Sequence, residues 1–244
     1  LRMKDKFDDT NFMGALVLVR HGESKWNQCN RFTGWVDVPL SEKGIREAQD
    51  CAVHCKRFQF DSAFTSDLER ARHTLLVILS LQGHTAIVQH PEDSRYRRWT
   101  RLSNRCGGND IPVFTSSLLN ERFYGVLQGM EKGHAERRFG KEKVFRWRRG
   151  FTDRPPSGET LQETFKRVYP YFVRSILPRV QRGETVFLAG HGNTLRGIVK
   201  YFEGISNEDV AFLDLPHGHP LVYTYKRGRF ARTEGNVKFD RPLR

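Results

Sequence analysis

The chain has 244 residues, 38% of them hydrophobic, a length and content that suit one α/β domain with an insertion or lid. No apolar run approaches the ~18 residues of a membrane span, Arg2 to Asn11 is too polar for a secretory leader, and Cys29, Cys51, Cys55 and Cys106 form no disulfide framework. A cytoplasmic protein is expected, and its net charge of +13 favours an anionic partner: nucleic acid, an acidic membrane or a phosphorylated metabolite.

Residues 1–13 read as an N-terminal tail, followed by one domain over 14–226. Ala15 to Val19 is a short apolar run ending at Arg20-His21-Gly22, the pattern of a buried strand that delivers a loop. Leu40 to Gly44 resembles a helix start, continued by apolar Ile45, Ala48 and Ala52. Cys51 and Cys55, four apart, share a helix face there. Ordinary packing is the better reading, since no further His or Cys completes a zinc set. Phe60 to Thr65 reads as a second strand, and Leu68 to Leu81 as a helix with Ala71, Leu75, Ile78 and Leu79 on one face.

From about residue 83 to 110 the chain turns arginine-rich with little apolar periodicity, which reads as a surface insertion. Ile111 to Thr115 restores strand character. Glu131 to Gly150 is charged and helical, and Asp153 to Gly158 is a turn. A long helix is expected from about Glu159 to Arg182, bent or split by Pro170 and Pro178. Thr185 to Ala189 is a third buried strand, again ending at a His-Gly pair, His191-Gly192, with a helix from near Asn193. Residues 227–244 read as a basic C-terminal tail. Strands alternating with helices imply a three-layer α/β/α sandwich with a mostly parallel sheet.

In such sheets ligands bind beyond the carboxyl ends of the strands, so His21 and His191 belong to one site. A histidine attacking phosphorus presents one bare ring nitrogen while an acceptor holds the other, and arginines surround the phosphoryl oxygens. Arg20, Ser24 and Asn27 share the His21 loop, and Arg70 follows the second strand. Singly, each has a duller explanation: Arg-His-Gly arises by chance, a lone His191 is structural, Arg70 is a solvated helix residue. Their joint placement after three strands points to phosphoryl transfer through His21.

The blocks Leu16–Asn27, Arg31–Asp37, Leu119–Gly129, Trp147–Gly150 and Gly190–Arg196 resemble the cofactor-dependent phosphoglycerate mutases of the histidine phosphatase superfamily, from about Leu16 to Tyr225. The resemblance implies a phosphoglycerate mutase-like fold and a glycolytic interconversion of 3- and 2-phosphoglycerate, primed by 2,3-bisphosphoglycerate without a metal. It implies that His21 carries the phosphoryl group, with Arg20, Asn27, Arg70, His191 and Gly192 around it, and that Glu121 is the acid and base. Ser24, Thr33, Gly34, Arg122, Tyr124, Lys132, Arg148, Arg149 and Asn193 would then bind the substrate's carboxylate and phosphate. The partner is a small phosphorylated substrate rather than nucleic acid or membrane, and the assembly a homodimer or a monomer. Phe123 departs from the Tyr or His of related sequences, and the short Pro155–Gly158 segment departs from relatives that form tetramers.

Three rivals remain. A histidine phosphatase would pass the same phosphoryl group to water. A bisphosphoglycerate mutase or phosphatase would share most of the site. An inactive scaffold or polyanion-binding protein would use the charge alone.

Overall fold

The computed structural model describes residues 14–89 and 109–240. The first thirteen residues, the last four and most of the arginine-rich stretch lie outside them, with Cys106. Strand β1 is Gly14–Arg20, followed by the one-turn helix α1 (Lys25–Gln28), helix α2 (Glu42–Cys55), strand β2 (Ser62–Thr65) and helix α3 (Glu69–Leu81). Strands β3 (Thr85–Gln89) and β4 (Asp110–Thr115) come next, then helices α4 (Lys132–Phe139), α5 (Lys141–Arg149) and α6 (Leu161–Tyr171). A π-wound turn, Phe172–Ile176, leads into α7 (Leu177–Gln181), then β5 (Thr185–Gly190) and α8 (Gly192–Glu203). Strands β6 (Leu213–Asp214), β7 (Pro220–Lys226), β8 (Arg229–Glu234) and β9 (Lys238–Phe239) complete the fold.

Seven strands form one sheet in the order β3-β4-β2-β5-β1-β7-β8. The five strands from β3 to β1 run parallel, and β7 pairs antiparallel with β1. The pleat sends alternate residues to opposite faces, so β1 feeds two cores. Leu16 and Leu18 join the apolar cluster under α6 and α8, whereas Val17 and Val19 join the one under α2 and α3. All four are fully buried, each worth about 1.5–3 kcal/mol by transfer from water. Both faces being covered gives the three-layer sandwich, and the central β1 and β5 end side by side at Arg20 and Gly190. A third, smaller cluster of Phe32, Leu127, Ala135, Val144 and Trp147 anchors α4 and α5 beside those strand ends.

Local chemistry sets the helix ends. The Ser41 hydroxyl caps α2 by accepting from Gly44 N–H at 3.1 Å. The start of α2 also presses on the loop after β1: a Cβ on Gly22 would lie 2.2 Å from the Gly44 carbonyl oxygen, and one on Gly44 2.0 Å from that of Glu23. Only two glycines allow that approach.

Several expectations change. Part of the stretch read as a surface insertion, Thr85–Gln89, is the sheet's edge strand, parallel to β4. Its five residues are too few to show alternation beside so polar a neighbourhood. Part of the basic C-terminal tail is structured as well. Arg227 and Gly228, with φ of 50° and 80°, turn β7 back into β8, and Phe230 stacks on Phe202 with centroids 4.2 Å apart. The half-buried face of β8 carries Phe230, Arg232 and Glu234 and the exposed face Arg229, Ala231 and Thr233, so no apolar alternation marks it as a strand. The charged helix over 131–150 is two helices, broken at Gly140, whose φ of 89° leaves the helical region. The long helix keeps its path past Pro170 and loosens to π winding between the two prolines, which is how the missing N–H is accommodated. The strand expected from Phe60 begins at Ser62. Cys51 and Cys55 lie buried with sulfurs 4.0 Å apart, within an apolar cluster.

Candidate active site

The strand ends converge on a cavity of about 120 Å³, well below the ~300–1,000 Å³ of sites for drug-sized ligands and suited to a small metabolite. His21 leaves β1 at its floor, its backbone N–H held by the Gly190 carbonyl at 3.0 Å. Its ring is buried, with Nδ1 2.6 Å from the Gly22 carbonyl oxygen. A carbonyl only accepts, so Nδ1 carries the proton and Nε2 keeps its lone pair. Burial, then His191, Arg70, His217 and Arg20, hold the His21 pKa well below its usual value, so the ring stays neutral at physiological pH. The sequence thereby supplies a poised nucleophile without a carboxylate partner.

His191 packs against it, ring centroids 5.0 Å apart at 63°. The Ser66 hydroxyl, 2.7 Å from Nε2, accepts from Leu68 N–H and has its own proton to donate to the ring. The imidazole proton then sits on Nδ1, buried and without a partner among the described residues. Burial and the field of Arg70, Arg167 and Arg20 keep this histidine uncharged too.

Seven cations line the cavity, Arg20, Arg31, Arg70, Lys132, Arg148, Arg149 and Arg196, against two carboxylates, Glu121 and Asp214. Backbone carbonyls aim several of the guanidinium groups. Arg70 donates to the carbonyls of Gly34 at 2.7 Å and Val36 at 3.1 Å, and Arg20 to that of Leu215 at 2.8 Å. Burial pushes Arg70 down to about 10 and Arg196 to about 9, and both stay cationic. Lys132, crowded by burial, Arg148 and Arg20, falls to about 8. So much like charge in one small space is strained until an anion arrives. Among the described residues, Arg20 Nε, Arg122 Nε and Nη1, and Arg196 Nε are buried donors without a hydrogen-bond partner.

Glu121 is held at the helix α8 start: its Oε1 accepts from Asn193 N–H at 3.1 Å and from Arg122 N–H at 2.8 Å. Asn193 donates through its amide to the Tyr124 hydroxyl at 3.1 Å, while its Oδ1 accepts from Arg196 at 2.9 Å.

The cavity walls hold most of the side chains named from the sequence: Arg20, His21, Asn27, Thr33, Gly34, Arg70, Glu121, Tyr124, Lys132, Arg148, Arg149, Gly192 and Asn193. Three stand elsewhere. Ser24 caps α1 and is reciprocally bonded to Asn27, which commits it to the loop. Arg122 is fully buried behind the wall, donating to Tyr124 and to the Arg148 carbonyl. His191 is fully buried and packs against His21. The sequence reading missed Arg31, Arg196, Asp214 and His217. Arg196 was findable, three residues past Asn193 on the same helical face. Arg31 opens a motif block, but nothing local marked Asp214 or His217. Among the described residues, no group of three or more His, Cys, Asp or Glu side chains forms a metal site, and no helix is long and apolar enough to cross a membrane.

Two buried histidines in a ring of arginines at parallel strand ends define a phosphoryl-handling site. The profile of the Histidine phosphatase superfamily (branch 1) matches residues 16–95 and 93–237, and the chain belongs to that superfamily. Within it the chain resembles 2,3-bisphosphoglycerate-dependent phosphoglycerate mutases. It is 40% identical to that of Methanosarcina acetivorans over 93% of this chain and 99% of the relative. To that of Methanococcus vannielii it is 43% identical, over 86% and 90%. Mycobacterial hydrolase 1 superposes with a TM-score of 0.71 at 19% identity, covering 92% of this chain and 99% of that one. A mycobacterial glucosyl-3-phosphoglycerate phosphatase gives 0.68 at 20% identity, over 90% and 96%. At such identities the two structures share the fold. The chain is a phosphotransferase or phosphatase of this superfamily that acts on small phosphorylated metabolites.

Proposed function

We propose that this protein is a 2,3-bisphosphoglycerate-dependent phosphoglycerate mutase, working through a phosphohistidine on Nε2 of His21. The observation that carries it is a neutral His21 with a bare Nε2 in a cavity where seven cations outnumber two carboxylates. A substrate with both a carboxylate and a phosphate needs that excess, and the relatives near 40% identity carry this name.

The His21 lone pair forms the N–P bond as the P–O bond to the departing hydroxyl breaks. Arg20, Arg70 and the Nδ1–H of His191 take the phosphoryl oxygens. Glu121 accepts the proton of the hydroxyl that attacks phospho-His21 and returns it to the departing oxygen when His21 takes a phosphoryl group back. Lys132, Arg148 and Arg149 hold the remaining negative groups, and Arg122 steadies that wall by donating to Tyr124 and to the Arg148 carbonyl. Bisphosphoglycerate supplies the phosphoryl group that primes the resting histidine, and the unpaired buried donors fit so highly charged a guest.

Water as the acceptor gives the phosphatase reading. One assay separates them: 3-phosphoglycerate with and without 2,3-bisphosphoglycerate, following 2-phosphoglycerate and free phosphate together. Bisphosphoglycerate-dependent 2-phosphoglycerate supports the mutase, and phosphate without it refutes the mutase.

A further inference from the structure

We infer that His217 is a positioning residue that fixes the tautomer of His21. It lies outside every motif block and outside the cavity wall, yet its ring packs edge-on against His21 with centroids 5.6 Å apart. Its Nδ1 is 2.5 Å from the His21 carbonyl oxygen, which only accepts, so His217 donates. The segment that carries it is registered on β1: Arg20 and His217 form a parallel bridge, and Gly218 N–H donates to the Arg20 carbonyl at 3.2 Å.

The contact matters because of what the next two peptides do. The proton of His21 Nδ1 is held by the Gly22 carbonyl, so the orientation of that carbonyl decides which ring nitrogen stays bare. Three side chains hold the two successive peptides, Glu47 the one that carries this carbonyl and the other two the one before it. His217 holds the carbonyl end of the His21–Gly22 peptide, the Thr74 hydroxyl accepts from its N–H end at 3.1 Å, and Glu47 Oε2 accepts from Glu23 N–H at 2.7 Å. Thr74 and Glu47 sit on α3 and α2, whereas His217 alone of the three grips the peptide from the β7 side. Without it the His21 carbonyl loses an uncharged donor, and the His21–Gly22 peptide, held then by Thr74 alone, is free to tilt and to carry with it the next peptide, whose Gly22 carbonyl is the acceptor.

A histidine suits this position for a physical reason. A Lys or Arg would donate as well, but would add a cation beside Arg20 and Arg70. A neutral imidazole donates, packs its edge on the nucleophile's ring, and adds no full positive charge beside Arg20.

This inference rests on His21 being the nucleophile, and its test keeps the two apart. Full-length wild type, His217→Leu and His217→Asn are compared by 15N NMR of the His21 ring nitrogens and by the rate of phosphoenzyme formation with 2,3-bisphosphoglycerate. The Leu variant is expected to mix His21 tautomers and to phosphorylate about ten- to hundredfold more slowly, with KM for 3-phosphoglycerate within about twofold. Asn places a donor near the position of Nδ1, so it recovers the single Nδ1–H tautomer and most of the rate. A Leu variant with one tautomer and an unchanged rate overturns the inference. So does a folded Asn variant no better than Leu, which would reduce His217 to packing. If wild type forms no phosphohistidine the proposed function fails, and the tautomer comparison still decides the role of His217.

Discussion

Acidification between pH 7 and pH 5 is expected to destabilise the fold through its buried histidines, before any carboxylate contributes. Burial and then Arg20 push His217 down to about 3, against 6.5 for the free side chain. Its folded pKa is lower than its unfolded one, so the unfolded chain binds more protons and stability is lost as pH falls. The loss starts near 6.5 and runs on toward 3. For His217 alone it reaches about 0.8 kcal/mol at pH 6 and about 2 kcal/mol at pH 5. His21 and His191 shift in the same direction and add to the slope. Glu163 and Glu184 are also depressed, but their contribution is lost only below the ordinary carboxylate range. Urea unfolding of the unliganded protein at pH 7, 6 and 5 reads the slope, and His217→Asn should remove about 2 kcal/mol of the change between pH 7 and pH 5. Equal stability of wild type across that range, or an unchanged slope in the variant, would refute the neutral, desolvated histidines.

Other consequences are measurable. With Lys132 near 8 in the free protein, a bound dianion should draw back about half a proton at pH 8. Calorimetry with inorganic phosphate in buffers of different ionisation enthalpy would detect it, and Lys132→Met should abolish it. Arg196→Lys loses the fork that holds Asn193 and the Arg149 carbonyl, and should weaken substrate binding about tenfold or more, read as KM. Glu121→Gln should still accept the phosphoryl group, while passing it to 3-phosphoglycerate about 10²–10⁴-fold more slowly in single-turnover kinetics. Leu18→Ala, at the centre of β1, should cost about 2–5 kcal/mol in denaturant unfolding without moving the site residues.

The parts of the fold legible in the sequence are those whose residues answer to local rules. The continuous apolar runs before Arg20 and Gly190 announce strands buried on both faces, and Ser41 announces a helix start. Thr85–Gln89 escaped because it is short and pairs with β4 across the arginine-rich stretch, and Arg229–Glu234 because charge lies on both of its faces. The site divides the same way. His21, Arg70 and His191 are readable because each follows a strand end, where an open sheet presents its ligands. Lys132, Arg148, Arg149 and Asn193 are drawn from resemblance, and the place of the first three needs the third apolar cluster, which seats α4 and α5. His217 and Asp214 arrive through the register of β7 on β1 and the turn before it, which no short motif encodes. Ser24, a substrate-binding residue by resemblance, is also read from local hydrogen-bond chemistry as the cap of α1, bonded to Asn27.

The most direct test of phosphoryl transfer through His21 is to phosphorylate the protein with 2,3-bisphosphoglycerate and locate the group by peptide mapping and 31P NMR. An acid-labile phosphoramidate on Nε2 of His21, absent from His21→Ala together with turnover, is the expected result. Phosphoryl on another residue or on Nδ1, or turnover surviving in His21→Ala, would contradict it.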